Sequence, residues 1–439
     1  MSLPTSQHLS LAVLASLLWA CQPQTQGEAV SSTEPPTTAT SPVSASAANT
    51  ASSSGLQLPE GFEATVFAEG VGRARHIAVR PNGDVYVRLR SPEQGHCNVA
   101  LRDSNQDGVA ETIEYFGGTD CGTGIAIEEP YLYTSSREQV LKTQLDDKLV
   151  PTAPPKVLVS DLGTAGAHDA RSLALDGKGH LFVNVGAPSN ACQTNDRRKG
   201  SPGQDPCPLL NEFGGVYRFD TNRLNQRKSE GLRYATGIRN AVALDWNPQD
   251  QKLYLLQHGR DQLNTMFPEL FSDQDNATKP AEEYVGLQQG EDLGWPYCYY
   301  DPALQKKVLA PEYGGDGKTV GRCDTVKMPD IAFPAHFAPN DLLFYRGNAF
   351  AEAYRQGAFI AFHGSWNRAP LPQEGFQVIF AKAGDWSVFA DGFAGSETRK
   401  ASGDAEYRPM GLAETPAGHL LVVDSMKGRI WRIRPAAVY

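Results

Sequence analysis

Apolar residues alternate with polar ones in short runs along most of the chain, and the runs come in pairs separated by turn residues. The first pair is Arg75-His76-Ile77-Ala78-Val79, a turn at Pro81-Asn82-Gly83-Asp84, then Val85-Tyr86-Val87. A second runs Gly124-Ile125-Ala126-Ile127 into Tyr131-Leu132-Tyr133, and a third runs Arg171-Ser172-Leu173-Ala174-Leu175 into Leu181-Phe182-Val183. The fourth is Arg239-Asn240-Ala241-Val242-Ala243-Leu244 with Leu253-Tyr254-Leu255-Leu256. A degenerate fifth lies around Pro334-Ala335-His336-Phe337, with Phe359-Ile360-Ala361-Phe362 as its later strand. The sixth is Arg408-Pro409-Met410-Gly411-Leu412 with Leu420-Leu421-Val422-Val423. Alternation at period two, bounded by Gly, Asn and Asp, reads as antiparallel hairpins. Repetition at about 64 residues per unit is enough for four strands plus insertions. The predicted fold is all-β, a six-bladed β-propeller with four-stranded antiparallel blades over residues 56–439. Strands at 61–67 and 429–433 would share one blade and close the ring without leaving sheet edges. The largest insertions are expected in the fourth and fifth units.

Composition agrees. The chain has 439 residues, 40 Lys+Arg against 50 Asp+Glu, and a net charge of −10. With 42 Gly and 30 Pro, it is neither a helical bundle nor a coiled coil. An acidic chain without a basic run offers no nucleic-acid surface. The apolar run 9–20 is shorter than the roughly 20 residues of a spanning helix, which excludes a multi-pass membrane protein. It ends at Leu18-Trp19-Ala20-Cys21, which resembles the lipobox of bacterial lipoproteins, although no Lys or Arg precedes Arg73. Residues 1–21 are therefore read as a signal peptide with a lipobox-like cysteine; an ordinary signal peptide is the alternative. Residues 22–55, almost wholly Ser, Thr, Ala, Pro and Gln, read as a disordered tether. The expected location is exported, periplasmic or cell-surface, touching a membrane only through a lipid anchor at Cys21.

Six further cysteines remain, without a CxxC pair, so neither a zinc ribbon nor a c-type haem is indicated. Six cysteines allow fifteen connectivities. The sequential pairing 97–121, 192–207 and 298–323, which closes three short separate loops, is the expectation; buried free thiols are the alternative.

A propeller gathers loops from different blades at one mouth of its channel. Arg75, Arg171, Arg239 and Arg408 open four units at matching positions. Placed at one mouth, their planar forks suit a ligand carrying several carboxylates. The alternative is that each pairs with an Asp or Glu between blades. His168 precedes the third unit at the same mouth and could accept a proton near neutral pH, although a structural role remains open. His363-Gly364-Ser365-Trp366-Asn367-Arg368 offers an indole, an amide and basic groups to a flat aromatic ligand. Asp103-Ser104-Asn105-Gln106-Asp107-Gly108 with Glu114 matches the EF-hand expression, but strand-like flanks favour a plain turn over a calcium loop.

At these residues the chain resembles the pyrroloquinoline quinone (PQQ)-dependent sugar dehydrogenases of the soluble glucose, sorbosone and pyranose type, over roughly residues 57–436. Gly237-Ile238-Arg239-Asn240, Gly259 with its acidic sequel, Gly294-Trp295-Pro296 and His168 carry the resemblance. It implies His168 as the base that takes a sugar hydroxyl proton, and Arg239 with Asn240 at the quinone oxygens and a nearby carboxylate. It implies backbone carbonyls of Gly259 and Arg260 on a calcium ion, and Arg368 and Arg408 on the cofactor. Arg75, His336 and Trp366 are further candidates for that pocket. Where the glucose branch has an aspartate that steadies the histidine, this chain has Ala187, which leaves Asp169 or Asn184 for that role. The implied reaction is oxidation of an aldose or related sugar, with a separate quinone or cytochrome as electron acceptor. A lactonase-type propeller hydrolase and a non-catalytic carbohydrate-binding propeller are the alternatives.

Overall fold

The structure, a computed structural model, describes residues 50–51, 54–163 and 166–437, all within the unit Ser46–Tyr439. The expected signal peptide, Cys21 and most of the expected tether lie outside the described residues. Thr50–Ala51 pairs antiparallel with Gln57–Leu58, so regular pairing reaches back into the segment read as tether. Among the described residues, no helix is long and apolar enough to cross a membrane.

Six sheets of four antiparallel strands follow one another as blades, with a two-residue fifth strand added in parallel to the second (Gln226–Arg227) and to the third (Glu291–Asp292). Blade 1 starts at its inner strand Ala74–Val79 and ends at Thr112–Phe116. Blade 2 runs from Ile125–Glu128 to Lys156–Ser160, blade 3 from Leu173–Leu175 to Leu232–Thr236, and blade 4 from Ala243–Asn247 to Ile331–Phe333. Blade 5 runs from Pro339–Phe344 to Asp385–Ala390. Blade 6 takes Pro409–Glu414, Leu420–Asp424 and Ile430–Pro435 from the end of the chain and Phe62–Ala68 from its start. There Phe62 faces Pro435 and Val66 faces Trp431. The ring is closed by the first long strand bonding to the last, as the sequence predicts.

Each blade packs both faces against its neighbours, so apolar side chains are needed on both sides of the strands. Phe182, Tyr234, Trp246 and Leu253 fill the layer between blades 3 and 4. Leu342, Phe344, Tyr284 and Ile360 fill the next, and Trp431, Phe359, Phe389 and Leu412 the layer between blades 5 and 6. Burying such a side chain contributes roughly 1.5–3 kcal/mol, and every blade interface repeats it.

Two expectations shift. The segment 334–337 is the connection from the outer strand of blade 4 to the inner strand of blade 5, which starts only at Pro339. The large insertions belong to units three and four, at 186–214, 258–281 and 288–330, whereas those of unit five are short. The third insertion includes the hairpin Cys298–Asp301 with Lys306–Leu309. All three disulfides have the sequential pairing, Cys97–Cys121, Cys192–Cys207 and Cys298–Cys323. The acidic loop after His96–Arg102 is a turn between two strands, as expected. It gathers Asp103, Asp107 and Glu111, without Glu114.

Trp431, fully buried in the closing blade, packs edge-on against Phe393 and Tyr407, both at 5.1 Å. Trp431→Ala leaves a large void at the seam and should lower stability by about 3–5 kcal/mol. Guanidinium unfolding followed by circular dichroism checks this.

Candidate active site

Inner strands begin at one face of the ring, and the loops leaving each second strand return to the same face. His168, Arg239 and His336 come from the first kind of segment; His258, Asp261, Trp366 and Asn367 come from the second. They line a cleft of about 280 Å³.

The cleft is organised around one carboxylate. Asp261, buried, accepts from Arg239 Nη2 at 2.6 Å and Arg197 Nη2 at 2.8 Å on Oδ2, and from Asn367 Nδ2 at 2.6 Å on Oδ1. Its backbone is clasped by Asn190, whose Oδ1 accepts from Asp261 N and whose Nδ2 donates to Asp261 O. Asn190 is held by Trp295, whose indole N–H donates to its carbonyl. Burial alone would raise the Asp261 carboxyl; the two guanidiniums overcome that and hold it well below the usual carboxylate range.

His168 donates from Nδ1 to the Ala187 carbonyl at 2.6 Å. A carbonyl can only accept, so Nδ1 carries the proton and Nε2 presents a lone pair. Burial, with Arg239 nearby, pushes the imidazole down to about 3, so the ring is neutral at physiological pH. The backbone oxygen of Ala187 therefore does the steadying expected of Asp169 or Asn184. Asp169 is bound by Arg90 and Arg137, while Asn184 donates to Ala170 O and Asn240 Oδ1. His168 sits at φ 63°, an uncommon conformation for a side-chain-bearing residue. Gly186 makes room for it: a Cβ there would lie 2.9 Å from His168 Cβ and 2.7 Å from Asn240 Oδ1.

His258 and His336 follow the same logic, donating from Nε2 to Pro339 O and Asn276 O. Their Nδ1 atoms are left as acceptors. Trp366 is 54% exposed at the edge of the cleft.

The four aligned arginines divide. Arg75 and Arg408 form no ion pair among the described residues. Arg75 donates from Nε to Thr123, and Arg408 donates to the carbonyls of His363 and Gly364. Burial and neighbouring Arg90 push Arg75 down to about 9, and burial takes Arg408 to about 10. Both feel each other's field or that of His363, so they share this face. Arg239 is anchored on Asp261, yet its buried Nε has no partner. Arg171, by contrast, is saturated by the carbonyls of Arg137, His168 and Gly163 and takes no part in the cleft.

Arg368 also stands apart. Its guanidinium is occupied by Pro372 O, Ala277 O and Glu374, so the cofactor role expected of it is not what its geometry serves. The Arg260 side chain turns away to the buried Glu312. The carbonyls of Gly259 and Arg260 accept no hydrogen bond among the described residues, and Gly259 N donates to Glu282 at 2.9 Å. The sequence reading missed Arg197, Asp261 and His258 as members of the cleft. Arg197 hangs from the loop closed by Cys192–Cys207, where no strand alternation marks it.

Comparison with known proteins agrees with this architecture. An uncharacterized protein of Borreliella burgdorferi is 24% identical over 393 residues, spanning 86% of this chain and 90% of that protein. A PQQ-dependent pyranose dehydrogenase of Coprinopsis cinerea is 30% identical over 267 residues, 52% of this chain but only 35% of that protein. Among solved structures, the holo PQQ domain of the Coprinopsis cinerea pyranose dehydrogenase superimposes with a TM-score of 0.67 at 18% identity. It covers 86% of this chain and 97% of its own. A calcium structure of a Trichoderma reesei family AA12 enzyme gives the same TM-score and identity, over 86% and 96%. At such identities these structures establish the shared six-bladed fold. Residues 56–436 match the TrAA12-like family, and the chain belongs to it.

Proposed function

We propose that the protein is a PQQ- and calcium-dependent dehydrogenase that oxidises a hydroxyl of an aldose or related sugar and passes the electrons to a separate quinone or cytochrome. The observation that carries this reading is His168: a neutral imidazole with a free Nε2, fixed at the cleft beside Arg239.

The donor set suits the cofactor. PQQ is a flat ortho-quinone with three carboxylates, and Arg75 and Arg408 are partly buried cations that form no ion pair among the described residues. Their bidentate forks would hold carboxylates, the unpartnered Nε of Arg239 would face a quinone oxygen with Asn240 alongside, and Trp366 offers an indole face. Unsatisfied carbonyls of Gly259 and Arg260 are hard oxygen donors of the kind calcium takes. When bound, PQQ supplies the acceptor for the hydride leaving the sugar carbon. His168 Nε2 takes the hydroxyl proton as that carbon becomes a carbonyl, and the Ala187 carbonyl stabilises the imidazolium through Nδ1–H. Arg239 neutralises negative charge developing in the cleft, while Asp261 keeps it in place.

A lactonase-type hydrolase would hold its metal by side-chain carboxylates in the channel. The carboxylates of the cleft are already engaged, Asp261 by Arg239, Arg197 and Asn367 and Glu282 by the N–H groups of Gly259 and Ala338, and the acidic group Asp103, Asp107 and Glu111 lies on a loop between two outer strands of blade 1. Three disulfides support an exported location, since such bridges persist in oxidising compartments. A lipid anchor at Cys21 would keep the domain near a membrane-borne acceptor.

Protein without cofactor should gain dye-linked sugar oxidation only when PQQ and calcium are both added; full activity without PQQ would rule this reading out. His168→Ala should keep the PQQ spectrum yet lose on the order of 10²-fold or more in kcat. Near wild-type turnover with PQQ bound would place the base elsewhere. Ring resonances of His168 in the cofactor-free protein should stay neutral from pH 8 down to 5, because its folded-state pKa lies near 3 rather than 6.5; an imidazole titrating near 6.5 contradicts this.

A further inference from the structure

Arg260 brings two opposed properties to the loop it belongs to. Its backbone carbonyl, with that of Gly259, is free to meet a calcium ion, yet its buried guanidinium carries a charge of the same sign as the ion. Like charges repel strongly in a low-dielectric interior. The field of Arg260 already reaches the cleft, where it opposes the charge of Arg239.

Glu312 supplies the opposite charge. Arg260 Nη1 donates to Glu312 Oε2, and both side chains are shut off from solvent, at 4% and 0% exposed. The pair is otherwise poorly served: Arg260 Nε and Nη2 and Glu312 Oε1 have no partner among the described residues. Desolvation offsets much of the attraction in such a pair, so stability alone is a weak reason for burying it. Glu312 is nonetheless firmly delivered. It lies on the turn Pro311–Tyr313, just after the hairpin strand Lys306–Leu309, in a hairpin that Cys298–Cys323 ties down. Gly203 N donates to Glu312 O at 3.1 Å, and the Tyr313 hydroxyl donates to Ala191 O at 3.0 Å. The carboxylate therefore comes from the blade 4 insertion and is braced on that of blade 3. The loop that receives it is fixed through its amides: His258 N donates to Asn240 O, Gly259 N to Glu282 and Asp261 N to Asn190. These bonds leave the carbonyls of Gly259 and Arg260 for a cation.

We propose that Glu312 is a positioning residue for the calcium site: it cancels the charge of Arg260 and holds that side chain in one place, so that the carbonyls of Gly259 and Arg260 can receive a divalent cation. This role rests on reading those carbonyls as calcium ligands. Calorimetric titration of the cofactor-free protein with calcium tests it without turnover, in an Asp107→Asn parent that silences the acidic loop of blade 1. Glu312→Gln keeps the shape and an acceptor for Arg260 but leaves its charge uncancelled, and should weaken calcium binding about tenfold or more. Trivalent terbium should lose more than calcium, because repulsion grows with the charge of the ion. Arg260→Gln combined with Glu312→Gln buries neither charge and should restore calcium affinity to within about threefold of the parent. Calcium bound by Glu312→Gln as tightly as by the parent, equal losses for the two ions, or a double variant as weak as the single overturns this role while the proposed activity stands. Where melting curves show that Glu312→Gln does not fold, the double variant decides alone: affinity within that margin supports charge cancellation, and a loss of about tenfold overturns it. A parent that takes up no calcium contradicts both this role and the proposed cofactor set. A protein that follows the expected pattern but oxidises no sugar with PQQ contradicts the activity alone.

Discussion

The candidate site depends on the pairing of the Asp261 carboxylate with Arg239. A buried carboxylate is strongly unfavourable unless its charge is matched and its lone pairs are filled. Here Arg239 comes from the entry to blade 4, Arg197 from the insertion of blade 3, and Asn367 from the loop of blade 5. Three segments far apart in sequence are drawn to one pair of oxygen atoms. Removing Asp261 would strip the buried Arg239 of its ion-pair partner, and removing Arg239 would leave Asp261 with Arg197 as its remaining cation. The chain Trp295–Asn190–Asp261 extends that grip into the large insertion of blade 4.

This anchoring sets which groups are available for chemistry. Arg239 is fixed by one nitrogen and retains an unpartnered one, and His168 is fixed by one nitrogen and retains a lone pair. The same division holds at His258 and His336. Backbone carbonyls do the fixing in each histidine, and they leave the ring neutral because they add no charge. A carboxylate in the place of Ala187 O would have pulled the imidazole toward its charged form.

Much of the ring is legible in the sequence, because short apolar runs bounded by turn residues come in pairs wherever a hairpin packs between two blades. This pattern places Arg75 and Arg408 within one residue of the inner-strand starts at Ala74 and Pro409, and Arg239 on the segment just ahead of Ala243. The unit around 334–337 is displaced because its inner strand, Pro339–Phe344, carries Asn340 and Asp341 where alternation predicts apolar residues. The sequential disulfide pairing, expected because it closes three short separate loops, is the one the structure has. What the sequence does not separate is Arg171 from Arg75, or Arg368 from Arg408. The acceptors that saturate Arg171 are three carbonyls, and every residue has a carbonyl. Asp261 has a faint signal as part of the acidic sequel to Gly259; Arg197 has none, since its position is set by a cross-linked loop.

Closure of the ring by its two ends has a consequence for when the site comes into being. Strand Phe62–Ala68 finds its partner only in Ile430–Pro435, after all the other blades have been laid down in sequence. Arg75 and Arg408 stand on either side of that blade, one just after its outer strand and the other just before its inner one. A nascent chain cannot hold them at a closed mouth until Ile430–Pro435 has emerged. Assembly of the mouth is thus timed by synthesis itself, and no fragment that ends short of the final strand carries a complete one.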